Sequence, residues 1–179
     1  MLEKKKILRK IIKVRVSAIS PEERKKREEI LHNNLFSMPE FVAARTVMLF
    51  ANLPDEIDTF SLIDKCIAMG KKVFLPVING DDMTACEFTG EYRVGRYEIK
   101  EPITPNSSLL TPHSMDFVLV PGVGFNPNGY RLGRGKGYYD KFLSKHSNLF
   151  TVGVCFREQF YLDIPTEPHD IPMHKVLVI

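Results

Sequence analysis

The sequence has little of what marks membrane or secreted proteins. Its 179 residues contain no run of about 18 apolar residues, so no transmembrane helix is expected. The N-terminus reads Met-Leu-Glu-Lys-Lys-Lys and lacks the apolar stretch of a signal peptide. Three scattered cysteines, Cys66, Cys86 and Cys155, form no CxxC pair and are typical of buried thiols in a reducing compartment. We therefore expect a cytoplasmic protein.

Signatures of several enzyme classes are also missing. The five histidines show neither an HExxH motif nor metal-ligand spacing, and no G-x-S-x-G elbow occurs. No cysteine lies in a motif that marks a nucleophile. Composition is that of a soluble globular protein, with 44% hydrophobic and 26% charged residues. The length suits one compact domain over residues 1–179.

Positive charge is concentrated at the start of the chain. Residues 1–27 carry 11 Lys or Arg against 3 Glu, a net charge of +8, which leaves −5 for the other 152 residues of a chain whose net charge is +3. Such a segment is the solvated face of a helix, a phosphate-binding edge or a nucleic-acid-binding arm. No zinc-finger spacing or RNP-like aromatic run supports the last reading.

The N-terminal third predicts two helices. Residues 3–16 have an apolar stripe at helical spacing, made by Ile7, Leu8, Ile11 and Ile12. The segment 20–23 predicts a second helix that runs to about Phe36, because Ser20 suits the cap, proline the first turn, and Glu23 completes a capping box.

The remainder alternates between strands and helices. Apolar runs predict buried strands at 46–51, 72–77, 83–88, 116–120, 150–156 and 175–179. A helix capped by Asp58 or Thr59 and ending at Gly70 connects the first two strands, and a second helix is expected at 138–146. Residues 101–113 read as a Pro/Ser/Thr-rich loop. Strand, helix and strand in sequence form a βαβ unit, so we expect an α/β domain with a central, mainly parallel sheet.

The segment 121–140, called here the glycine-rich loop, is the strongest candidate for a functional site. It reads Pro-Gly-Val-Gly-Phe-Asn-Pro-Asn-Gly-Tyr-Arg-Leu-Gly-Arg-Gly-Lys-Gly-Tyr-Tyr-Asp and is expected to be a long loop after a strand. Glycines allow the backbone to approach an anion closely, and successive amides can form an anion-binding nest before a helix. Arg131, Arg134 and Lys136 supply the charge that a polyphosphate needs. Neither the Walker A nor the Rossmann fingerprint fits, and a solvated surface loop is the alternative.

Three acidic residues are expected near the same sheet edge, Asp140 in the first turn of the helix after the glycines, and Glu56 and Asp170 after predicted strands. Asp140 suits a Mg²⁺ ligand or a helix-dipole partner. Asp170 could reach this edge or form an Asx turn before proline. Glu56 suits either the N–H groups of a heterocycle or a solvated loop position.

Two stretches of this region resemble the signature of one enzyme family. Leu119-Val-Pro-Gly-Val-Gly-Phe125 and Gly129-Tyr-Arg-Leu-Gly-Arg-Gly-Lys-Gly-Tyr-Tyr-Asp140 are similar to the motif of 5-formyltetrahydrofolate cyclo-ligases, also called 5,10-methenyltetrahydrofolate synthetases. The resemblance runs from about Lys5 to Asp170. One departure is Glu98, where relatives often carry glycine.

The resemblance implies a three-layer α/β/α sandwich and a set of site residues. It implies that ATP is bound by Lys5, Lys6, Ile7, Leu8, Arg9, Arg131, Leu132, Gly133, Arg134, Gly135, Lys136, Gly137, Tyr138 and Tyr139. It implies that the folate is bound by Ala51, Glu56, Arg134, Gly135, Lys136, Gly137 and Tyr138. Asp140 and Asp170 would hold Mg²⁺, and Arg134 and Lys136 would be catalytic.

The activity implied by the resemblance is the ATP- and Mg²⁺-dependent conversion of 5-formyltetrahydrofolate to 5,10-methenyltetrahydrofolate, with ADP and phosphate as products. Phosphorylation of the formyl oxygen, giving an iminium phosphate, would make the carbon electrophilic, and such a transfer needs positioning and charge neutralisation rather than a protein nucleophile. The expected partners are these small molecules, with no nucleic acid or membrane, and a monomer is expected. A different ATP-dependent phosphotransferase and a nucleic-acid-binding module are the rival readings.

Overall fold

The computed structural model describes residues 1–95, 100–103, 115–146 and 148–179. The departure predicted at Glu98 and most of the Pro/Ser/Thr-rich loop predicted for 101–113 lie outside the described residues. Within the described part, no helix is both long and apolar enough to cross a membrane.

The N-terminal third forms three helices, α1 (Leu2–Ser17), α2 (Pro21–Ser37) and α3 (Pro39–Ala43). The start of α2 is confirmed, because the Ser20 hydroxyl accepts a hydrogen bond from the Glu23 amide at 3.2 Å. The Glu23 carboxylate does not complete the predicted capping box and instead accepts a hydrogen bond from Arg27.

The predicted apolar stripe of α1 is only half correct. Ile12 is buried and Leu8 packs against the core, whereas Ile7 and Ile11 are 50% and 42% exposed. The buried face continues instead to Val16. The helix has two apolar ridges about 100° apart around its axis, and packing against the sheet buries only one of them.

The central sheet has six strands in the order β10-β9-β6-β1-β2-β3, all parallel except β3. Their bounds are β1 Thr46–Met48, β2 Lys72–Asn79, β3 Asp82–Glu87, β6 Phe117–Val120, β9 Phe150–Cys155 and β10 Lys175–Val178. Helix α4 (Phe60–Ala68) connects β1 to β2 and confirms the βαβ unit. Of the two cap candidates it is Asp58 whose carboxylate accepts from the Phe60 amide, at 2.8 Å. A short antiparallel pair, β4 (Tyr92–Val94) and β5 (Lys100–Pro102), lies outside the sheet.

Helices cover both faces of the sheet, so the predicted three-layer α/β/α architecture is confirmed. Strand residues alternate between two hydrophobic clusters, as the two-residue period of a strand requires. Val47 and Phe117 pack with residues of α1 to α4 on one face. Met48 and Val118 pack on the other face with α5 (Tyr138–Ser144).

The glycine-rich loop is more ordered than predicted. Within it β7 (Gly124–Phe125) pairs antiparallel with β8 (Arg131–Leu132). The Asn126 side chain accepts hydrogen bonds from the amides of Asn128 and Tyr130, at 3.1 and 2.9 Å, which closes the turn between these strands. The pattern of local hydrogen bonding by an Asn in a turn, rather than apolar periodicity, produces this hairpin.

The order of the strands in the sheet indicates where the functional region lies. From β1 the chain moves first to β2 on one side, and later to β6 and β9 on the other. Ligands of open α/β sheets bind in the crevice outside the carboxyl ends of the strands where such a reversal occurs. The segments that leave β1 and β6 at this point are the turn at 49–58 and the glycine-rich loop.

Candidate active site

A cavity of about 250 Å³ opens at this crevice. Its wall comes from α1, the turn after β1, strands β2 and β3, the glycine-rich loop and the segment at 167–169. The predicted site residues that line it are Lys5, Arg9, Ala51, Glu56, Arg131, Leu132, Gly133, Arg134, Gly135, Lys136, Gly137, Tyr138, Tyr139 and Asp140. Residues more than 160 positions apart in sequence are thus brought to one pocket.

Helix α1 turns two basic residues towards this cavity. Lys5 and Arg9 are four residues apart and therefore lie on one face of the helix. Lys5 Nζ donates to Glu167 Oε2 at 2.9 Å and to Asp170 Oδ2 at 3.3 Å. Burial by itself lowers the pKa of Lys5, but the two carboxylates outweigh it and raise that pKa. Arg9 Nε donates to the Gly133 carbonyl at 2.8 Å, which attaches α1 to the glycine-rich loop.

The backbone of residues 133–137 borders the cavity. In the described part of the chain, none of the amides of these residues donates to a protein acceptor. Gly137, the residue before α5, has φ +69°, a left-handed conformation that glycine adopts without steric cost. Unsatisfied amides beside a cavity are donors for an oxyanion.

Arg131 and Lys136 add positive charge to the same wall. Arg131 Nη2 donates to Asp140 Oδ2 at 2.9 Å, while its buried Nε has no acceptor among the described residues. Lys136 is exposed and contacts no acidic side chain in the part of the chain that the structure describes. Both groups can therefore accept an anionic ligand without first breaking all their protein contacts.

Arg134 connects the glycine-rich loop to the turn after β1. Its Nη2 donates to Asp55 Oδ1 at 2.6 Å and to Glu56 Oε1 at 2.9 Å. Burial by itself lowers the pKa of Arg134, but these two carboxylates raise it. Glu56 Oε2 also accepts from the Leu53 amide at 2.9 Å, so the carboxylate is fixed at the cavity wall.

Part of the cavity wall is apolar. It is made by strand ends and by side chains of the sheet: Phe50, Ala51, Pro76, Ile78 and Met83. A flat heterocycle suits such a surface, with one carboxylate to bind its N–H groups. The buried Tyr139 hydroxyl lies in the wall without an acceptor among the described residues, and burial raises the pKa of Tyr139.

Three side chains form a candidate cation site, of which Glu167 and His169 line the cavity and the predicted ligand Asp170 does not. Ligand atoms of Glu167, His169 and Asp170 all lie within 4.8 Å of one another. Two carboxylates offer the oxygen ligands that Mg²⁺ prefers, so this donor set fits that ion. Asp140 is not a member of this cluster and is paired with Arg131 instead.

Some predicted residues do not reach the cavity, and others were missed. Lys6 and Ile7 point away from the sheet, and Leu8 packs against the core. Glu167 lines the cavity although only its neighbour Asp170 was singled out; two acidic residues three positions apart in a proline-rich segment were the available signal. The apolar residues of the cavity wall could not be recognised from the sequence, because their pattern is the same as that of strands in the core.

A comparison with known protein families adds a decisive observation. The sequence model of the 5-formyltetrahydrofolate cyclo-ligase family matches residues 1–179. The chain belongs to the 5-formyltetrahydrofolate cyclo-ligase family. The resemblance seen in the glycine-rich loop is thereby confirmed over the whole chain.

Individual members of this family are similar to the chain over most of its length. A probable 5-formyltetrahydrofolate cyclo-ligase of Caenorhabditis elegans is 30% identical over 98% of this chain and 92% of its own length. The 5-formyltetrahydrofolate cyclo-ligase of Escherichia coli K12 is 30% identical over 93% of this chain and 96% of its own. The structure of 5,10-methenyltetrahydrofolate synthetase from Aquifex aeolicus superposes with a TM-score of 0.85 at 33% identity, covering 97% of this chain and 89% of that one.

Proposed function

We propose that this cyclo-ligase converts 5-formyltetrahydrofolate to 5,10-methenyltetrahydrofolate, consumes ATP, requires Mg²⁺ and releases ADP and phosphate. The observation that carries the proposal is that one cavity is lined by two kinds of surface, basic side chains with the unsatisfied amides of residues 133–137, and apolar side chains together with the Glu56 carboxylate. The first suits a triphosphate and the second a pterin-like heterocycle.

The chemical problem explains why both walls are needed. An N-formyl carbon is a poor electrophile because its nitrogen donates into the carbonyl group, and hydroxide is a poor leaving group. When the formyl oxygen attacks the γ-phosphorus, ADP leaves and an iminium phosphate forms. The second folate nitrogen then attacks the carbon, loses its proton, and phosphate departs with the electrons of the C–O bond.

On the cationic wall, the chain's own groups orient and neutralise the phosphates. We assign Arg134 and Lys136 to the transferred phosphoryl group, and Arg9 and Arg131 to the rest of the triphosphate. Support comes from Arg131 Nε, which has no acceptor among the described residues, and from the Lys136 ammonium, which contacts no acidic side chain among them. Both are donors that could stabilise charge on a phosphoryl group.

On the apolar wall, we assign Glu56 and Ala51 to the folate. The Glu56 carboxylate would accept hydrogen bonds from N–H groups of the heterocycle, whose ring would lie against Ala51 and the side chains of β2.

Magnesium fits beside the phosphates. Asp140 and Asp170 are the proposed ligands, with Glu167 available at the same cluster as Asp170. When bound, the ion would neutralise negative charge on the phosphates. The Lys5 ammonium lies 3.3 Å from Asp170 Oδ2 and 2.9 Å from Glu167 Oε2, so Mg²⁺ would share these carboxylates with Lys5 or displace it.

The proposed reaction requires no protein nucleophile, and the properties of the three cysteines are consistent with this. Cys66, Cys86 and Cys155 are buried and free. Burial raises the pKa of Cys66 and of Cys155 to about 12, so neither is a thiolate at neutral pH. Three free thiols also support the proposed cytoplasmic location.

The test is optical, because the methenyl product has its own absorbance. Purified protein with 5-formyltetrahydrofolate, ATP and Mg²⁺ should form it, and omission of either ATP or Mg²⁺ should stop it. ADP should appear in equal amount. Product formation without ATP, or ATP hydrolysis without folate product, would contradict the proposal.

A further inference from the structure

Arg134 is held by two neighbouring carboxylates rather than one. Asp55 and Glu56 lie in a tight turn that is closed by the hydrogen bond from the Glu56 amide to the Leu53 carbonyl at 2.9 Å. Arg134 Nη2 donates to both carboxylates, and its Nε lies 3.3 Å from Glu56 Oε1. Only Glu56 had been singled out from the sequence.

The two carboxylates line different cavities. Glu56 lines the main cavity, whereas Asp55 lines a smaller neighbouring cavity of about 150 Å³. Arg134 belongs to the walls of both. Asp55 is thus absent from the lining of the main cavity, and a ligand bound there need not contact it.

This arrangement has a consequence when the main cavity is occupied. Glu56 Oε2 is engaged by the Leu53 amide, so the oxygen free to turn towards a heterocycle is Oε1. Oε1 is also the atom that accepts from Arg134. A ligand that binds this oxygen weakens the contact between Arg134 and Glu56, whereas the contact between Arg134 and Asp55 remains.

We propose that Asp55 is a positioning residue that keeps Arg134 over the main cavity after Glu56 has bound the folate. The inference rests on the proposed function and deepens it. Without the Asp55 carboxylate, Arg134 in the ligand-bound state would lose its remaining ionic partner within the protein. Its flexible side chain would then sample other orientations and meet the transferred phosphoryl group less often.

The test compares Asp55→Asn with Asp163→Asn, which makes the same chemical change at an exposed carboxylate outside both cavities. Asp55→Asn should lower kcat about two- to fivefold, the scale of a half-exposed ion pair, with a smaller change in KM for the folate. Asp55→Glu should restore part of the loss, because it returns the charge. Asp163→Asn should behave as wild type, and all melting temperatures should agree.

A double-mutant comparison separates positioning from a structural role. In an Arg134→Gln background, Asp55→Asn should have no further effect on the rate, since its action passes through the guanidinium. Single-turnover rates with enzyme in excess extend the comparison to slow variants. An equal effect with and without Arg134, or wild-type kcat in Asp55→Asn, would overturn the role of Asp55 alone. A wild-type protein that forms no methenyl product would overturn the proposed function, and this inference with it.

Discussion

Arg131 and Asp140 form an ion pair with 2.9 Å between Nη2 and Oδ2. The pair joins strand β8 to the first turn of α5 and so connects the two ends of the cationic stretch 131–140. Both side chains are largely buried, at 6% and 18% exposed. Asp140 therefore holds the loop's shape in addition to any part it has in metal binding.

Asp140→Asn should raise the Mg²⁺ concentration needed for half-maximal turnover by about tenfold, because a carboxylate ligand is replaced by a neutral amide. Magnesium titrations of turnover at fixed ATP measure this. Asp82→Asn is the matched control, since Asp82 also pairs with a cation, Lys145 at 3.0 Å, but outside the cavity. An unchanged titration in Asp140→Asn would remove this residue from the proposed metal site.

Lys136→Ala should reduce ATP-driven turnover about 10²- to 10³-fold, the usual cost of removing one donor to a transition-state oxyanion. Its melting temperature should stay at the wild-type value, because Lys136 is exposed and contacts no acidic side chain among the described residues. Lys25→Ala on the exposed side of α2 is the control for a lost surface charge. Wild-type turnover by Lys136→Ala would refute its assigned role.

Gly129→Ala should destabilise the fold more than Gly70→Ala. Both glycines have left-handed backbones, with φ +83° and +77°, which cost an alanine about 1–2 kcal/mol. A methyl group at Gly129 would in addition lie 2.4 Å from the Met173 carbonyl oxygen, whereas nothing lies within 4 Å at Gly70. Urea unfolding of the two variants measures the difference in stability. Equal losses of stability would show that the backbone at Met173 moves away from the added methyl group at little cost.

Glu158→Gln should lower the free energy of unfolding at pH 7 by about 1–2 kcal/mol, because Arg27 donates two hydrogen bonds to this carboxylate, at 2.6 and 3.1 Å. Burial alone raises the pKa of Glu158, but Arg27 outweighs it and lowers that pKa below 4.5. The stabilisation is thus present above pH 4.5 and is lost as the pH falls through the lowered pKa.

The difference in the free energy of unfolding between wild type and Glu158→Gln should therefore become smaller at acidic pH. Urea unfolding at pH 7 and at pH values below 4.5 checks this. Glu22→Gln, which breaks an exposed pair with Lys26 on α2, should show little effect at either pH. A gap that stays constant with pH would mean that the Arg27 contact does not depend on the charge of Glu158.

Much of the fold could be predicted from short-range patterns. Apolar runs place the six strands of the sheet, and Ser20 begins α2 as expected. These features depend on neighbours within a few residues, which the linear sequence contains. The hairpin inside the glycine-rich loop escaped prediction, since its strands are two residues long and carry no periodicity.

The choice of face on α1 shows the limit of such patterns. Ile7 and Ile11 form an apolar ridge as regular as that of Leu8, Ile12 and Val16, yet only the second is buried. Helical spacing gives the period and leaves the rotation about the helix axis open. The same rotation sends Lys5 and Arg9 to the cavity and leaves Lys6 outside it.

The sequence by itself determined the alternation of strands and helices, the glycine-rich loop and the positive charge available to it, because each depends on residue types at short spacing. Only the tertiary structure decided which charges meet. Lys5 reaches Glu167 across 162 residues, and Arg134 reaches Asp55 across 79. Such pairs exist because the strand order brings the turn after β1, the loop after β6 and the N-terminal helix to one edge of the sheet, and no local pattern encodes that order.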